Sequence, residues 1–152
     1  MDQLDLAIVE YARPGAELAL EIEKSMGKIH YKSGAILRNH GLLCWGDDIE
    51  EVYGKVLEIE SAIAEFLNIE SARVGKKSAE SLPVEKFITP DHAVFSKSIK
   101  NKKFGWLADL DWAIKNALDK IPPGREVAYL SDEEVYSLVN WEAEQARIEM
   151  NT

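Results

Sequence analysis

The chain has 152 residues, a formal net charge of −9 and a pI of about 4.9. That length fits one domain and lets a chain bury roughly 68–70% of its unfolded surface. The acid excess repels phosphate backbones, so no nucleic-acid partner is expected, although one local basic group or helix N-terminus suffices for a small phosphorylated ligand. Apolar residues make up 46% and charged residues 30%, an ordinary soluble composition. The single cysteine, Cys44, excludes an intrachain disulfide and fits a reducing cytoplasm. The acidic stretch Met1–Glu10 is no signal peptide, and no apolar run approaches a membrane span. A cytoplasmic protein without membrane contact is expected.

Leu6 to Tyr11 reads as a short apolar strand, ended by Arg13-Pro14-Gly15. Ala16 to Met26 follows, with Leu18, Ile22 and Met26 on one helical face and Gly27 just past the end. Ala35-Ile36-Leu37 and Leu42-Leu43-Cys44-Trp45 are apolar runs separated by Asn39-His40-Gly41. They predict two short strands meeting at a tight turn, or one bulged strand, since Asn and Gly tolerate positive φ. Asp47 with Glu50 predicts a capped helix from Asp48 to about Asn68, with Ile49, Val52, Val56, Ile59, Ile63 and Phe66 as its apolar stripe. Gly54 within it predicts a close packing contact.

Residues 71–86 are polar, carry Gly75 and Pro83, and predict a linker. Phe87-Ile88-Thr89 and Ala93-Val94-Phe95 predict short strands around a turn at Pro90-Asp91-His92. Lys97 to Phe104 is a basic connector. Trp106 to Leu118 is helical, Val127 to Leu130 reads as a strand, and Ser131 with Glu134 opens a final helix running to about Met150. The chain is thus expected to form one domain over 1–152, with a core segment at 6–70 and a C-terminal extension at 87–152. Alternating strands and helices predict an α/β layered fold.

The three histidines are His30, His40 and His92. His40 stands at the turn between two apolar runs, where a ring is held rigidly, as a metal ligand must be. A lone histidine is more often structural, because a metal site takes three or four donors. His92 at its turn could reach a cleft but reads first as a surface residue, and His30 reads as exposed. Cys44, inside an apolar run, reads as a buried inert thiol. Trp45, Trp106, Trp112 and Trp141 read as core or interface anchors.

Leu37-Arg38-Asn39-His40-Gly41, the apolar run to Gly46 and the Glu-rich helix beyond resemble the C-terminal signature of class II aldolases of the aldolase/adducin family. Tyr11-Ala12-Arg13-Pro14-Gly15-Ala16-Glu17-Leu18 is similar to the family's upstream segment, with Ala16 where serine is usual. The resemblance covers Leu6 to about Leu67. Thr89-Pro90-Asp91-His92 and Val139-Asn140-Trp141-Glu142-Ala143-Glu144 are similar to the tail of the longer members related to rhamnulose-phosphate aldolases.

The resemblance implies part of a three-layer α/β/α sandwich with a mixed, mainly antiparallel sheet. It implies zinc acting as a Lewis acid on a sugar phosphate, with His40 as one ligand supported by Asn39 and Gly41. His92 is a weaker candidate ligand. The family's His–x–His pair and catalytic glutamate belong to an N-terminal half, and this sequence contains no His–x–His. An oligomer, or a partner chain carrying that half, is therefore the expected context. The alternative is an adducin-like interaction module without catalysis.

Overall fold

The computed structural model describes residues 5–26, 33–68, 86–98 and 105–150. His30, most of the predicted linker and most of the Lys97–Phe104 connector lie outside these residues. The chain divides into two compact units. One comprises residues 1–71 and 122–124, the other 72–121 and 125–152.

The first unit holds the strands. β1 (Leu6–Val9) leads through α1 (Ala16–Met26) to β2 (Gly34–Leu37) and β3 (Gly41–Leu43), and α2 (Ile49–Leu67) follows. The sheet order is β1-β2-β3. β1 pairs parallel with β2, Leu6 opposite Gly34 and Val9 opposite Leu37, whereas β2 and β3 form a hairpin with Leu37 opposite Gly41. The sheet is mixed, as expected, with one parallel and one antiparallel pairing among the described strands. A parallel pair needs a crossover, which α1 provides.

Alternation along the strands sends Ala7, Val9 and Ala35 to one face, where they are buried. Ile22 of α1, Leu37, Leu43 and Trp45 pack against them. On the other face, Ile8, Ile36 and Leu42 stand in one register row, and Ile8 and Leu42 are exposed. Among the described residues, α1 packs on one face of the sheet and the other face carries this apolar row.

α2 begins one residue later than its sequence pattern suggested. Asp48, not Asp47, is the N-cap and accepts from the Glu51 amide at 2.8 Å. The Glu51 carboxylate reaches back to the Asp47 amide at 2.9 Å and pairs with Lys55 Nζ at 2.6 Å. Lys55 also donates to the Trp45 carbonyl at 3.0 Å, which ties the β3 exit to the helix. These partners, the Lys55 bond first, hold the Glu51 carboxyl below its usual range. Asn68 closes the helix in a left-handed conformation, φ 53°.

The second unit is helical: α3 (Pro90–Ser98), α4 (Gly105–Asp119), α5 (Asp132–Val139) and α6 (Glu142–Met150). The predicted strands at 87–89, 93–95 and 127–130 are not formed. Thr89 instead caps α3, its hydroxyl accepting from the His92 amide at 3.3 Å, and Pro90 takes the first helical position. His92, Ala93, Val94 and Phe95 are all buried, because α4, α5 and α6 each pack on α3. Four consecutive buried residues show no amphipathic period, and that run therefore resembled a strand. Residues 127–130 run without regular pairing, although the Leu130 amide bonds the Phe87 carbonyl at 2.8 Å.

The Ser131–Glu134 capping box forms as read. The long final helix does not. It breaks at Asn140, whose side-chain amide bonds the Tyr136 carbonyl at 2.8 Å and whose backbone leaves the helix at φ −96°, ψ 3°. Trp141 starts the next turn by accepting from the amides of Glu144 and Gln145.

Gly54 lies exposed in α2, and a Cβ there would meet nothing within 4 Å, so no packing contact accounts for it. Gly34 is the opposite case, since a Cβ would fall 2.5 Å from the Leu43 carbonyl oxygen. Gly54→Ala is therefore expected to raise stability by about 0.5–1 kcal/mol through helix propensity. Gly34→Ala is expected to lower it, by forcing β2 and β3 apart. Denaturant titration of the two variants checks both directions.

Candidate functional site

The hairpin that carries His40 is built from a strict local geometry. The His40 amide bonds the Leu37 carbonyl at 3.0 Å, closing a four-residue turn with Asn39 in the left-handed region at φ 61°. Gly41 follows at φ 128°, a value that side-chain-bearing residues rarely adopt. The sequence Asn-His-Gly thus sets the turn, with His40 held between two residues suited to positive φ.

The imidazole is fixed from the neighbouring strand. Its Nε2 lies 2.8 Å from the carbonyl oxygen of Ala12, and its ring stacks on Tyr11 at 5.5 Å with an interplanar angle of 7°. A carbonyl can only accept, so Nε2 carries the proton, and in the neutral ring Nδ1 keeps its lone pair. A metal-bound histidine is commonly oriented in this way, with the far nitrogen donating to a backbone carbonyl. Tyr11 and Ala12 come within reach because the β1–β2 ladder runs on past the strands. The Arg38 amide bonds the Val9 carbonyl at 2.9 Å, and Arg38 Nη1 pairs with Glu10 Oε2 at 2.7 Å.

Among the described residues, no three His, Cys, Asp or Glu side chains lie together as a metal site would require. Cys44 is not turned to that use. Its Sγ sits 3.2 Å from where a Cβ on Gly34 would be. Burial pushes its thiol above the usual value, with Lys55 opposing in part. By themselves, then, the described residues do not fit a closed zinc centre, whereas His40 fits as a single donor.

His92 is in the second unit and is not the surface turn residue expected from sequence. It occupies α3, fully buried. Neither ring nitrogen has a hydrogen bond, Asp111 Oδ1 of α4 lies 3.7 Å from Nε2, and Phe87 meets the ring edge-on at 5.0 Å. Burial lowers its pKa, against the pull of Asp111. A second polar cluster lies in this unit. Arg147 of α6 hydrogen-bonds Asp91 at 2.6 Å and forms an ion pair with Glu144 at 3.0 Å while lying over the Phe95 ring at 4.8 Å. Burial raises the pKa of Glu144, with Arg147 opposing. The spacing Glu144–Arg147 was readable as an i, i+3 pair, but the reach to Asp91 was not.

Residues 1–67 match the family described as the Class II Aldolase and Adducin N-terminal domain. The match covers the β1-α1-β2-β3-α2 segment and ends before the helices α3–α6. No curated protein and no solved structure matches the chain. The similarity is thus confined to residues 1–67, and it includes the turn histidine at the position where the motif resemblance implies a ligand.

The burial of His92 has a pH consequence. A neutral imidazole in the fold binds its proton less readily than the same group unfolded, so unfolding takes up a proton below the ordinary histidine value of about 6.5. The His92 contribution to stability is present above that pH and is lost as pH falls through and below it. Denaturant midpoints measured between pH 7.5 and 5 should fall for the native chain, and the slope should be shallower in His92→Phe.

Proposed function

We propose that this chain is a class II aldolase-like protein whose His40 is one donor of a shared metal centre. The remaining donors would come from residues outside the described set, on a second copy or a partner chain. The observation that carries this reading is the Nε2–Ala12 carbonyl bond, which fixes the ring and leaves Nδ1 for a ligand. The reaction class is metal-dependent aldol cleavage of a sugar phosphate, with zinc as the expected metal. Asn39 and Gly41 act as supports, since their backbone angles set the direction of the imidazole. Placement in the rhamnulose-phosphate branch rests on the motifs at 89–92 and 139–144. His92 has no part in this reading.

A second reading is a non-catalytic, adducin-like interaction module. It is favoured by the absence of any three-donor cluster among the described residues and by the open apolar row Ile8, Ile36 and Leu42.

The two readings separate in one experiment. Size-exclusion fractions of the purified chain are analysed for zinc, beside His40→Ala. A shared centre predicts zinc in oligomeric fractions and its loss in the variant. Zinc that is retained by His40→Ala contradicts the assignment of His40. Zinc at background in every fraction, including those of the chain mixed with a co-purifying partner, favours the interaction module.

A further inference from the structure

Ile49, Tyr53 and Leu57 recur every fourth residue of α2 and so stand one above another along one side of it. They are 77%, 63% and 44% exposed. The stripe spans about 12 Å of helix. The buried Ile59 lies about 120° around the helix from Tyr53, so the stripe is a separate shoulder of the helix from the side that carries its core contact.

The stripe has a marked charge setting. Glu50 borders it, and Glu60 continues its line one turn beyond Leu57. α2 as a whole carries five glutamates, Glu50, Glu51, Glu58, Glu60 and Glu65, against the single lysine Lys55. That lysine is already engaged by Glu51 and the Trp45 carbonyl. A second copy would bring the same carboxylates to the contact, in a chain of net charge −9, and like charges face to face are unfavourable. Gly54 adjoins Tyr53, and the open space where its Cβ would stand allows a partner's backbone to come close.

We propose that the Ile49–Tyr53–Leu57 stripe is the docking site for an amphipathic helix of another protein, one whose apolar stripe is flanked by lysine or arginine. Apolar contact along the stripe supplies the attraction, and the glutamates beside it select a basic partner over an acidic one. This surface is independent of the metal-centre reading, since none of its residues takes part in holding His40.

The test uses the whole chain and two fluorescent synthetic helices of about 18 residues, long enough to lie along the stripe. Both have leucines at heptad a and d positions. One has lysine and the other glutamate at the flanking positions. Binding is read by anisotropy for the native chain, for Tyr53→Asp/Leu57→Asp, and for Tyr136→Asp as a control at another exposed tyrosine. The double variant adds negative charge, so attraction by charge alone would strengthen binding. The proposal predicts that the lysine-flanked helix binds at least about tenfold more tightly than its sister. It predicts that the double variant weakens this binding by about tenfold or more and that Tyr136→Asp leaves it unchanged. Equal binding of both helices, undiminished binding to the double variant, or no binding at all overturns it. So does a homodimer in sedimentation that the double variant disperses, since a second copy would then cover the stripe.

Discussion

The parallel register of β1 on β2 is the constraint on which the site depends. Leu6 opposite Gly34 places Ala7, Val9 and Ala35 on one face under Ile22, and it also carries Tyr11 and Ala12 alongside the turn at His40. A slip of one residue would turn the buried row outward and take the Ala12 carbonyl away from the imidazole. Packing and ring placement are therefore set by the same pairing. Gly34 protects it from the other side, since any side chain there would strike the Leu43 carbonyl. Lys55 and Glu51 then fix the way out of β3 into α2.

The helical unit follows a different logic. α3 buries His92 to Phe95 in succession and so brings a polar ring into the core, with no hydrogen bond to either ring nitrogen, while Asp91 stays exposed at its edge. The Arg147 guanidinium joins α6 to α3 by an ion pair with Asp91 and a ring contact with Phe95. Removing the arginine would take from the buried Glu144 its Arg147 ion pair, and such a loss outweighs the modest worth of an exposed pair.

Elements with a strong local signal were legible in the sequence. α1 was read with both its ends, the hairpin turn was readable from Asn39-His40-Gly41, and the Ser131–Glu134 box was found where read. The misreadings have physical causes. Thr89-Pro90 is a good helix start, but Phe87-Ile88-Thr89 has the composition of a strand and Pro90 also marks turns. Ala93-Val94-Phe95 is too short and too buried to show a period. Asn140 ends a helix that the apolar pattern carries through to Met150. At the site, a turn histidine could be read from the motif. Its partner could not, because Ala12 offers only a backbone carbonyl and lies 28 residues away.

Functionally, the match of residues 1–67 to the aldolase/adducin family and the fixed imidazole support the proposed reading, in which this chain presents one oriented donor and other residues complete a centre. The orientation of that ring is the central claim. Long-range proton–nitrogen correlation NMR on the 15N-labelled chain reads the His40 tautomer directly. In the neutral form of the ring, the expected result is a proton on Nε2 and none on Nδ1. A proton on Nδ1, or fast averaging between the two tautomers, would contradict it, because the Ala12 carbonyl would then hold no hydrogen bond from the ring.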